Sequence, residues 1–411
     1  MALTDMVLMP GTDYQSICDQ TRRLTGDTAT LTSGEVVTKL SGVTVGGGGS
    51  TAVAPKDINF YDYDGTCVEA WSLSELASKT ALPDYPAHAG LTCQGWNWTL
   101  EDLKNENAKM NVGAMYITTD GKTRVYISLH EGRTSPMLGV APNGTVTVDW
   151  GDGTTPDTLT GTSLTSVKWT PTHNYAAPGG YVITLTVSGE MSIVGSTNYS
   201  NLLCYSSTTD DRNGVYRTAI QRIHVGANVR LYSMAFAGCY GLAGITLPST
   251  ITSIAPYAFQ YCERLPFVTL PSGISKIGDV SCNSCSALIA IAIPNGVTEI
   301  NPTAFQSCYN LAAITIPNGV VRIWDTAFQN CNAIASVSVP SSVSNIRKNA
   351  FAYCRGASFY DFTTHTAVPT LGADAFAGLP ADCEIRVPAA LVDEWKAAEN
   401  WSTYADQIVG V

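Results

Sequence analysis

Twelve cysteines and five histidines are the residues of this chain whose side chains could bind a metal, exchange disulfides or act as nucleophiles. Cys282 and Cys285 have the C-x-x-C spacing of redox motifs and of half a zinc site. The histidines, at positions 88, 130, 173, 224 and 365, are scattered and lie in no nucleophile motif. No glycine-rich phosphate loop follows a strand. The sequence therefore predicts a protein that is not an enzyme and that has no cofactor.

Most of the cysteines occupy fixed positions of a 23-residue repeat, which indicates a structural role for them. One cysteine column is Cys239, Cys262, Cys285, Cys308, Cys331 and Cys354. Three residues earlier runs a phenylalanine column, Phe236, Phe259, Phe305, Phe328 and Phe351, in which Cys282 takes one place. Both members of the C-x-x-C are thus repeat positions, where cysteine acts as a small buried apolar residue. We expect the cysteines to be reduced.

A fixed period of this length is typical of a solenoid, in which stacked coils bury the apolar face that one coil cannot bury alone. Each unit has a short alternating stretch, such as Ile314 to Ile316, and Pro317 ends it because proline cannot donate to a ladder. The unit, L-x-x-I-x-I-P-x-x-V-x-x-I-x-x-x-A-F-x-x-C, resembles the leucine-rich repeats of bacterial surface-antigen type. The resemblance implies a leucine-rich-repeat solenoid over residues 218–384 and a binding scaffold whose ligands contact the variable positions.

Large aromatic and arginine side chains recur at those variable positions, and such residues carry interfaces well. The candidate ligand-binding residues are Tyr240, Tyr257, Tyr261, Arg264, Tyr309, Trp324 and Tyr353. Each of them either faces a partner or packs between coils, and the sequence does not decide between the two.

Composition restricts the partners. The chain has 411 residues, only 14% of them charged, and a net charge of −11. An acidic protein is repelled by phosphates, so we expect no nucleic-acid partner. No run of 18 or more apolar residues occurs, which predicts no membrane insertion. The first ten residues carry no basic residue before a short apolar stretch and make a poor signal peptide.

Residues 1–45 predict two short helices that attach the protein to a larger assembly. Asp13 is placed to cap the first, and the second begins at Ser33. The pattern D-Y-Q-S-I-C-D-Q-T-R-R-L-T-G, followed by L-T-S-G-E-V-V-T-K-L, resembles the helical start of tail-associated proteins of phages of gut Gram-positive bacteria. Residues 46–56 form a glycine-rich linker, whose GGGGS run is either a natural hinge or a cloning scar.

Residues 57–110 predict a small α+β module. Residues 58–63 and 67–71 are strands joined by an Asp-Gly turn, and a short helix follows. The order F-Y-D-Y-D-G-T … L-P-x-x-P-x-H-x-G-L-T-x-Q-G-W-N resembles the β-grasp repeats of internalin-type surface proteins. Trp96 and Trp98 are either the core of this module or a platform for a sugar.

Residues 111–195 predict a β-sandwich whose first strand is at 114–117. The marks W-G-D-G, H-x-Y and G-Y-V-I-T-L-T-V occur in order and resemble the PKD type of immunoglobulin-like domain, which implies a spacer or interaction module. Asp149, Asp152 and Asp157 either hold calcium or satisfy the hydrogen bonds of the turn itself.

Residues 196–217 predict a connector, and residues 385–411 predict a cap in which Trp395, Trp401 and Tyr404 cover the last coil. The predicted fold is therefore multidomain and mainly β: a helical N-terminus, a β-grasp-like module, a PKD-type sandwich and a C-terminal solenoid.

Two functions fit this order of modules. In the first hypothesis the chain is a phage virion surface protein, a tail or head fibre or a capsid decoration. Other virion proteins would hold its N-terminal segment, and its repeats would bind a host surface protein or glycan. The alternative is a bacterial cell-surface adhesin. No heptad region specifies a trimer, so the oligomeric state is left open.

Overall fold

A computed structural model describes residues 53–411, except residues 55, 107–108, 197–198, 201 and 204–217. The predicted attachment helices (1–45) and most of the linker (46–56) and of the connector (196–217) lie outside the described residues. The described chain is mainly β with few helices, and its C-terminal half is a solenoid. Each helix in this part of the chain is too short to cross a bilayer.

The first module is a four-stranded sheet with two short helices. Its elements are β1 (Ile58–Tyr61), β2 (Cys67–Trp71), α1 (Leu73–Leu76), β3 (Leu91–Trp96), α2 (Leu100–Glu106) and β4 (Met110–Thr118). β1 and β2 form the predicted hairpin. Ser72 and Glu75 make a capping box at the start of α1. Trp96 and Trp98 are 7% and 2% exposed and lie in the core of this module.

The prediction that residues 114–117 belong to the sandwich is wrong. β4 contains them and pairs with β1 and β3, so that the sheet order is β2-β1-β4-β3. The alternation of apolar residues identifies a strand but does not say which sheet it joins. The resemblance of this module to β-grasp repeats stays a prediction.

The second module contains four strands of six or more residues and three strands of two residues. Its strands are β5 (Thr123–Leu129), β6 (Gly139–Asp149), β7 (Asp157–Thr162), β8 (Lys168–Trp169), β9 (Gly179–Ile193), β10 (Gly195–Ser196) and β11 (Tyr199–Ser200). β9 pairs antiparallel with β5 and β6. Trp150 is buried and stacks on the ring of His173 at 4.4 Å. The hydroxyl of Tyr175 donates to the carbonyl of Trp150 at 2.9 Å. The resemblance to PKD domains stays a prediction.

The solenoid begins with β12 (Ile220–His224), β13 (Val229–Leu231) and β14 (Gly244–Thr246). The coils that follow add short strands to two parallel ladders. The first ladder is β15 (Ser253–Ile254), β17 (Lys276–Ile277), β19 (Glu299–Ile300), β21 (Arg322–Ile323), β23 (Asn345–Ile346) and β25 (Thr370–Leu371). The second is β16 (Phe267–Thr269), β18 (Ala290–Ala292) and β20 (Ala313–Ile314), and it continues as β22 (Ser336–Ser338), β24 (Phe359–Asp361), β26 (Glu384–Val387) and β27 (Ile408–Gly410). The predicted solenoid is confirmed.

The repeated phenylalanines stack inside the solenoid. The ring centroids of Phe305 and Phe328 lie 5.4 Å apart, and the two rings are nearly parallel. Phe376 extends the column beyond Phe351, with a centroid distance of 5.5 Å. The 23-residue period does not predict Phe376, because its coil is two residues longer than the period. The stack is continuous from Phe305 onward and is interrupted at Cys282, which is also buried.

Two residues of each repeated turn have a left-handed backbone, one of them two residues before the phenylalanine and the other two residues after it. In one coil these are Thr303 and Ser307, both with φ of 60°. Their amides donate to the carbonyls of Asp325 and Gln329 in the next coil, at 3.1 and 2.8 Å. The turn is therefore held in a strained conformation by the ladder of hydrogen bonds between coils.

The second module covers the first coil of the solenoid. β12 pairs with β5 on one side and with β14 on the other, and β13 pairs with β9. The hydrogen-bonded sheet of the second module thus runs directly into the first coil of the repeats. A solenoid needs such a cap, and the sequence predicts one only for the other end.

The last coil is covered by the predicted C-terminal cap. It consists of a 3-10 turn at Ala389–Leu391, α3 (Val392–Ala397), a second 3-10 turn at Trp401–Tyr404 and β27. Trp395 and Trp401 are fully buried. The indole of Trp401 donates to the carbonyl of Pro369 at 2.7 Å.

The first module packs on the outer face of the second ladder. β4 lies against β16 and β18, and the ring centroids of Tyr61 and Phe267 are 4.8 Å apart. The amide of Asn97 donates to the carbonyls of Leu270 and Ala292 at 3.2 and 3.3 Å. Gly113 is required at this contact, because a Cβ there would lie 2.5 Å from the hydroxyl of Thr269. This half of the ladder is therefore closed to a partner.

Candidate binding surfaces on the repeat array

The outward face of the first ladder, named here the ladder face, carries a built polar cluster. Each of its strands ends in a buried isoleucine or leucine, so the residues on either side of that position point outward. Trp324 follows the isoleucine of β21 and is partly exposed. Its indole donates to Glu299 Oε2 at 3.0 Å, one coil earlier.

Two arginines flank the indole ring of Trp324. The guanidinium carbons of Arg322 and Arg347 lie 4.8 and 5.8 Å from the ring centroid. Arg322 donates to Glu299 Oε1 at 2.9 Å, and Arg347 Nε lies 3.5 Å from Asp325 Oδ1. The cluster is electrically balanced, and its contacts run between neighbouring coils. Such a network holds a large aromatic side chain in one orientation at the surface, which favours its use as an interface anchor.

The other candidate residues lie on the turn that contains the repeated phenylalanine and cysteine, named here the arc. Tyr257, Tyr261 and Tyr353 occupy its left-handed positions, with φ of 60°, 60° and 61°. The Tyr353 ring packs over Gly378 in the next coil, where a Cβ would lie 2.6 Å from the ring. Tyr353 is nevertheless 40% exposed.

Tyr240, Arg264 and Tyr309 lie at the end of the arc, just after the repeated cysteine. Tyr309 is 47% exposed and Arg264 is also exposed, whereas Tyr240 is only partly exposed. The structure therefore divides the seven candidates between two surfaces: Trp324 belongs to the ladder face and the other six to the arc.

The sequence comparison decides the type of repeat. The family described as BspA type leucine rich repeat region matches residues 229–358 in six copies. Residues 229–358 are a BspA-type leucine-rich repeat region.

Solved leucine-rich-repeat proteins of bacteria are similar to parts of this chain. A T. pallidum leucine rich repeat protein is 30% identical, with 36% of this chain and 68% of that chain covered and a TM-score of 0.34. A Eubacterium ventriosum leucine-rich repeat protein is 21% identical, with 36% and 40% covered and a TM-score of 0.34. A leucine rich cell surface protein of Faecalibacterium prausnitzii is 20% identical, with 50% and 84% covered and a TM-score of 0.17. None of the curated proteins matches.

None of the residues that contact Trp324 in the leucine-rich repeats is among the predicted binding residues. Glu299, Arg322, Asp325 and Arg347 are spread over three coils and look like ordinary surface charges. Their common signal is the period: Arg322 and Glu299 stand 23 residues apart, and each directly precedes a buried isoleucine. Adjacent coils place such residues about 4.8 Å apart, which is within reach of an ion pair.

The cysteines of the leucine-rich repeats are buried thiols. Cys282 and Cys285 are 2% and 1% exposed, and neither is in a disulfide. Burial is the main cause that raises the pKa of Cys285 well above its ordinary value. In the described part of the chain, no group of three or more His, Cys, Asp or Glu residues is placed to hold a metal ion.

The three aspartates proposed for calcium have protein partners. Asp149 accepts from the amide of Gly151 at 2.9 Å, and Asp157 accepts from the indole of Trp150 at 2.9 Å. Asp152 Oδ2 lies 2.8 Å from His173 Nε2. Each of these aspartates thus has a hydrogen-bond partner within the second module, and a calcium role for them stays a prediction.

Proposed function

We propose that this protein is a non-enzymatic adhesin of a bacterial cell surface, and that its leucine-rich repeats bind a partner on another cell. The repeat type supports this proposal, since the 23-residue unit already resembled surface-antigen repeats and matches the BspA type. The first module and the sandwich then act as a rigid support for the array.

The cluster around Trp324 is the observation that carries the binding role. A tryptophan fixed between two guanidinium groups and hydrogen-bonded to a carboxylate has no role in the solenoid core, because it lies outside the isoleucine column. Tryptophan and arginine are the residue types most enriched among interface hot spots. The ladder face around Trp324 is therefore the proposed contact with the partner.

Substitution of Trp324 tests this function. We expect Trp324→Asn, which copies Asn301 of the same column, to weaken binding of the purified chain to host cells about tenfold or more. Tyr85→Asn is the matched control, since Tyr85 is 49% exposed on the first module, and it should leave binding unchanged. Equal binding by both variants and the parent would refute the role of the ladder face.

The virion hypothesis depends on residues 1–45, which lie outside the described residues. Antibody against the array, labelled with gold, separates it from the adhesin proposal. Label on the envelope of bacterial cells in which no phage has been induced supports the adhesin. Label confined to tails or capsids of purified particles would replace it with a virion surface protein.

A further inference from the structure

The arc presents an uncharged surface on an acidic protein. We define the neutral stripe as the residues two before, one after and two after the repeated phenylalanine position, in the five coils from Phe259 to Phe351. None of these positions holds Asp, Glu, Lys or Arg, although the whole chain has a net charge of −11. Charged residues border the stripe, with Asp279 and Asp325 on one side and Arg264 and Arg355 on the other.

A ladder of amide side chains forms the middle of the neutral stripe. Gln260 Nε2 donates to Asn283 Oδ1 at 3.4 Å, and Asn283 Nδ2 donates to Gln306 Oε1 at 3.1 Å. Gln306 Nε2 donates in turn to Gln329 Oε1 at 2.5 Å. These bonds orient the amides along the solenoid axis. Because an amide group has two N–H donors and two acceptor lone pairs, the partly exposed Gln260, Gln306 and Gln329 keep capacity for a ligand.

Tyrosines stand at both ends of one edge of the neutral stripe. Tyr261 and Tyr353 bracket Ser284, Ser307 and Asn330, all at the same left-handed position of successive coils. Their backbone amides are already used, as with Ser307, whose amide donates to the next coil at 2.8 Å. Four coil steps separate the two tyrosines, which corresponds to about 19 Å along the axis. The surface is thus a polar strip of neutral hydroxyls and amides with an aromatic ring at each end.

We propose that the neutral stripe binds an uncharged, linear oligosaccharide that lies along the solenoid axis. Sugar hydroxyls both donate and accept, as do the amides and hydroxyls of the stripe, and tyrosine rings pack against the apolar C–H faces of sugars. A charged ligand would lose hydration along the stripe, whose own positions offer it no counterion. A protein partner fits less well, since serine is depleted in protein interfaces. This inference rests on the proposed adhesive function and names the class of ligand on a second surface of the array.

The test is calorimetric titration of the full chain with linear hexasaccharides. Cellohexaose, maltohexaose and β-mannohexaose are the neutral probes, and hexagalacturonate is the charged one. We expect at least one neutral hexasaccharide to bind, its disaccharide to bind at least tenfold more weakly, and hexagalacturonate not to bind. Absence of saturable binding by all three neutral chains at millimolar concentration, or equal binding of hexagalacturonate, would overturn the proposal.

Variants locate the site. The double variant Tyr261→Asn, Tyr353→Asn places at both positions the residue type of Asn330, which tolerates the left-handed backbone. It should weaken binding at least tenfold. Asn330→Asp places a charge in the stripe and should have a similar effect. Thermal unfolding confirms that each variant is folded. Trp324→Asn should leave oligosaccharide binding unchanged. Loss with Trp324→Asn but not with the tyrosine variants would refute the neutral stripe while sparing the adhesin proposal.

Discussion

Cysteine recurs in the repeats for a reason that hydrophobicity alone does not give. The thiol of Cys308 donates to the carbonyl of Cys282 at 3.1 Å, and the thiol of Cys331 donates to Phe305 at the same distance. Burial is the main cause that raises the pKa of these thiols well above its ordinary value, so they stay protonated and keep the donor hydrogen. A small apolar residue with a weak donor therefore fits this column better than alanine or valine.

Ser281 places a hydroxyl at a buried repeat position that is alanine in the neighbouring coils. Its hydroxyl is fully buried and has no hydrogen-bond partner, whereas the neighbouring coils have Ala258 and Ala304 at this position. We expect Ser281→Ala to raise the free energy of unfolding by about 1 kcal/mol, because it removes an unsatisfied buried hydroxyl. Urea unfolding of the full chain measures the effect.

The reverse substitution one coil later is the control for Ser281. Ala304→Ser should lower the free energy of unfolding by about the same amount, roughly 1 kcal/mol. A less stable Ser281→Ala variant would mean that the serine hydroxyl is satisfied by bound water.

At the scale of one element, the arc combines two left-handed residues with hydrogen bonds to the next coil. Val280 has φ of 61°, a conformation that is costly for a β-branched side chain, and Asn349 holds the equivalent place with φ of 55°. Val280→Asn should therefore stabilise the protein by about 1 kcal/mol. Asn349→Val is the matched opposite and should destabilise it. Thermal unfolding measures the melting temperature of both variants. Shifts of the same sign would contradict this account.

The contact between the first module and the second ladder depends on Asn97, which is 2% exposed. Besides its two donated bonds, its Oδ1 accepts from the amide of Gly113 at 2.8 Å. Asn97→Leu leaves these buried backbone groups without partners, so we expect a loss of about 3 kcal/mol. Hydrogen exchange of β4 and β16 should accelerate. Gln94→Leu, which removes an exposed bond to Ser249, is the control and should change stability by about 0.5 kcal/mol or less.

The elements show what the sequence could and could not predict. The 23-residue spacing of Phe305 and Phe328 predicted the coil, because each core position recurs once per period and must be buried in every coil. The partner of β4 was not predictable, since its apolar pattern fits either neighbouring sheet. The partners of Trp324 were missed because contacts between coils join residues that are distant in sequence and ordinary in type. Ser307 and its column gave no signal of a left-handed turn, which the hydrogen bonds between coils impose.

At the scale of the whole molecule, the modules determine which parts of the array a partner can reach. The second module covers the first coil, and the C-terminal cap covers the last. The first module covers the early half of the second ladder. The ladder face and the arc are left uncovered by these three elements, and the candidate binding residues lie on them. The support modules thus direct binding to the sides of the solenoid.

The junction of the three modules contains His224, which is 4% exposed. Its Nδ1 lies 3.1 Å from the hydroxyl of Thr246, and its ring meets Tyr63 and Tyr126 edge-on at centroid distances of 5.6 and 5.2 Å. Burial, followed by the charges of Arg222 and Arg124 and of His88, lowers the pKa of His224 to about 4. The histidine is therefore neutral in the folded protein under ordinary conditions.

This pKa makes the stability of the whole assembly sensitive to acid. The unfolded chain takes up a proton at His224 near pH 6.5, whereas the folded protein does so only near pH 4. Between these values the unfolded state binds more protons, so stability present above pH 6.5 is lost as the pH falls, by about 3 kcal/mol in total. His224→Phe keeps the ring contacts but cannot be protonated. Its melting temperature should therefore fall less than that of the parent between pH 7 and pH 4.5. An equal fall in both proteins would show that groups other than His224 cause the acid sensitivity.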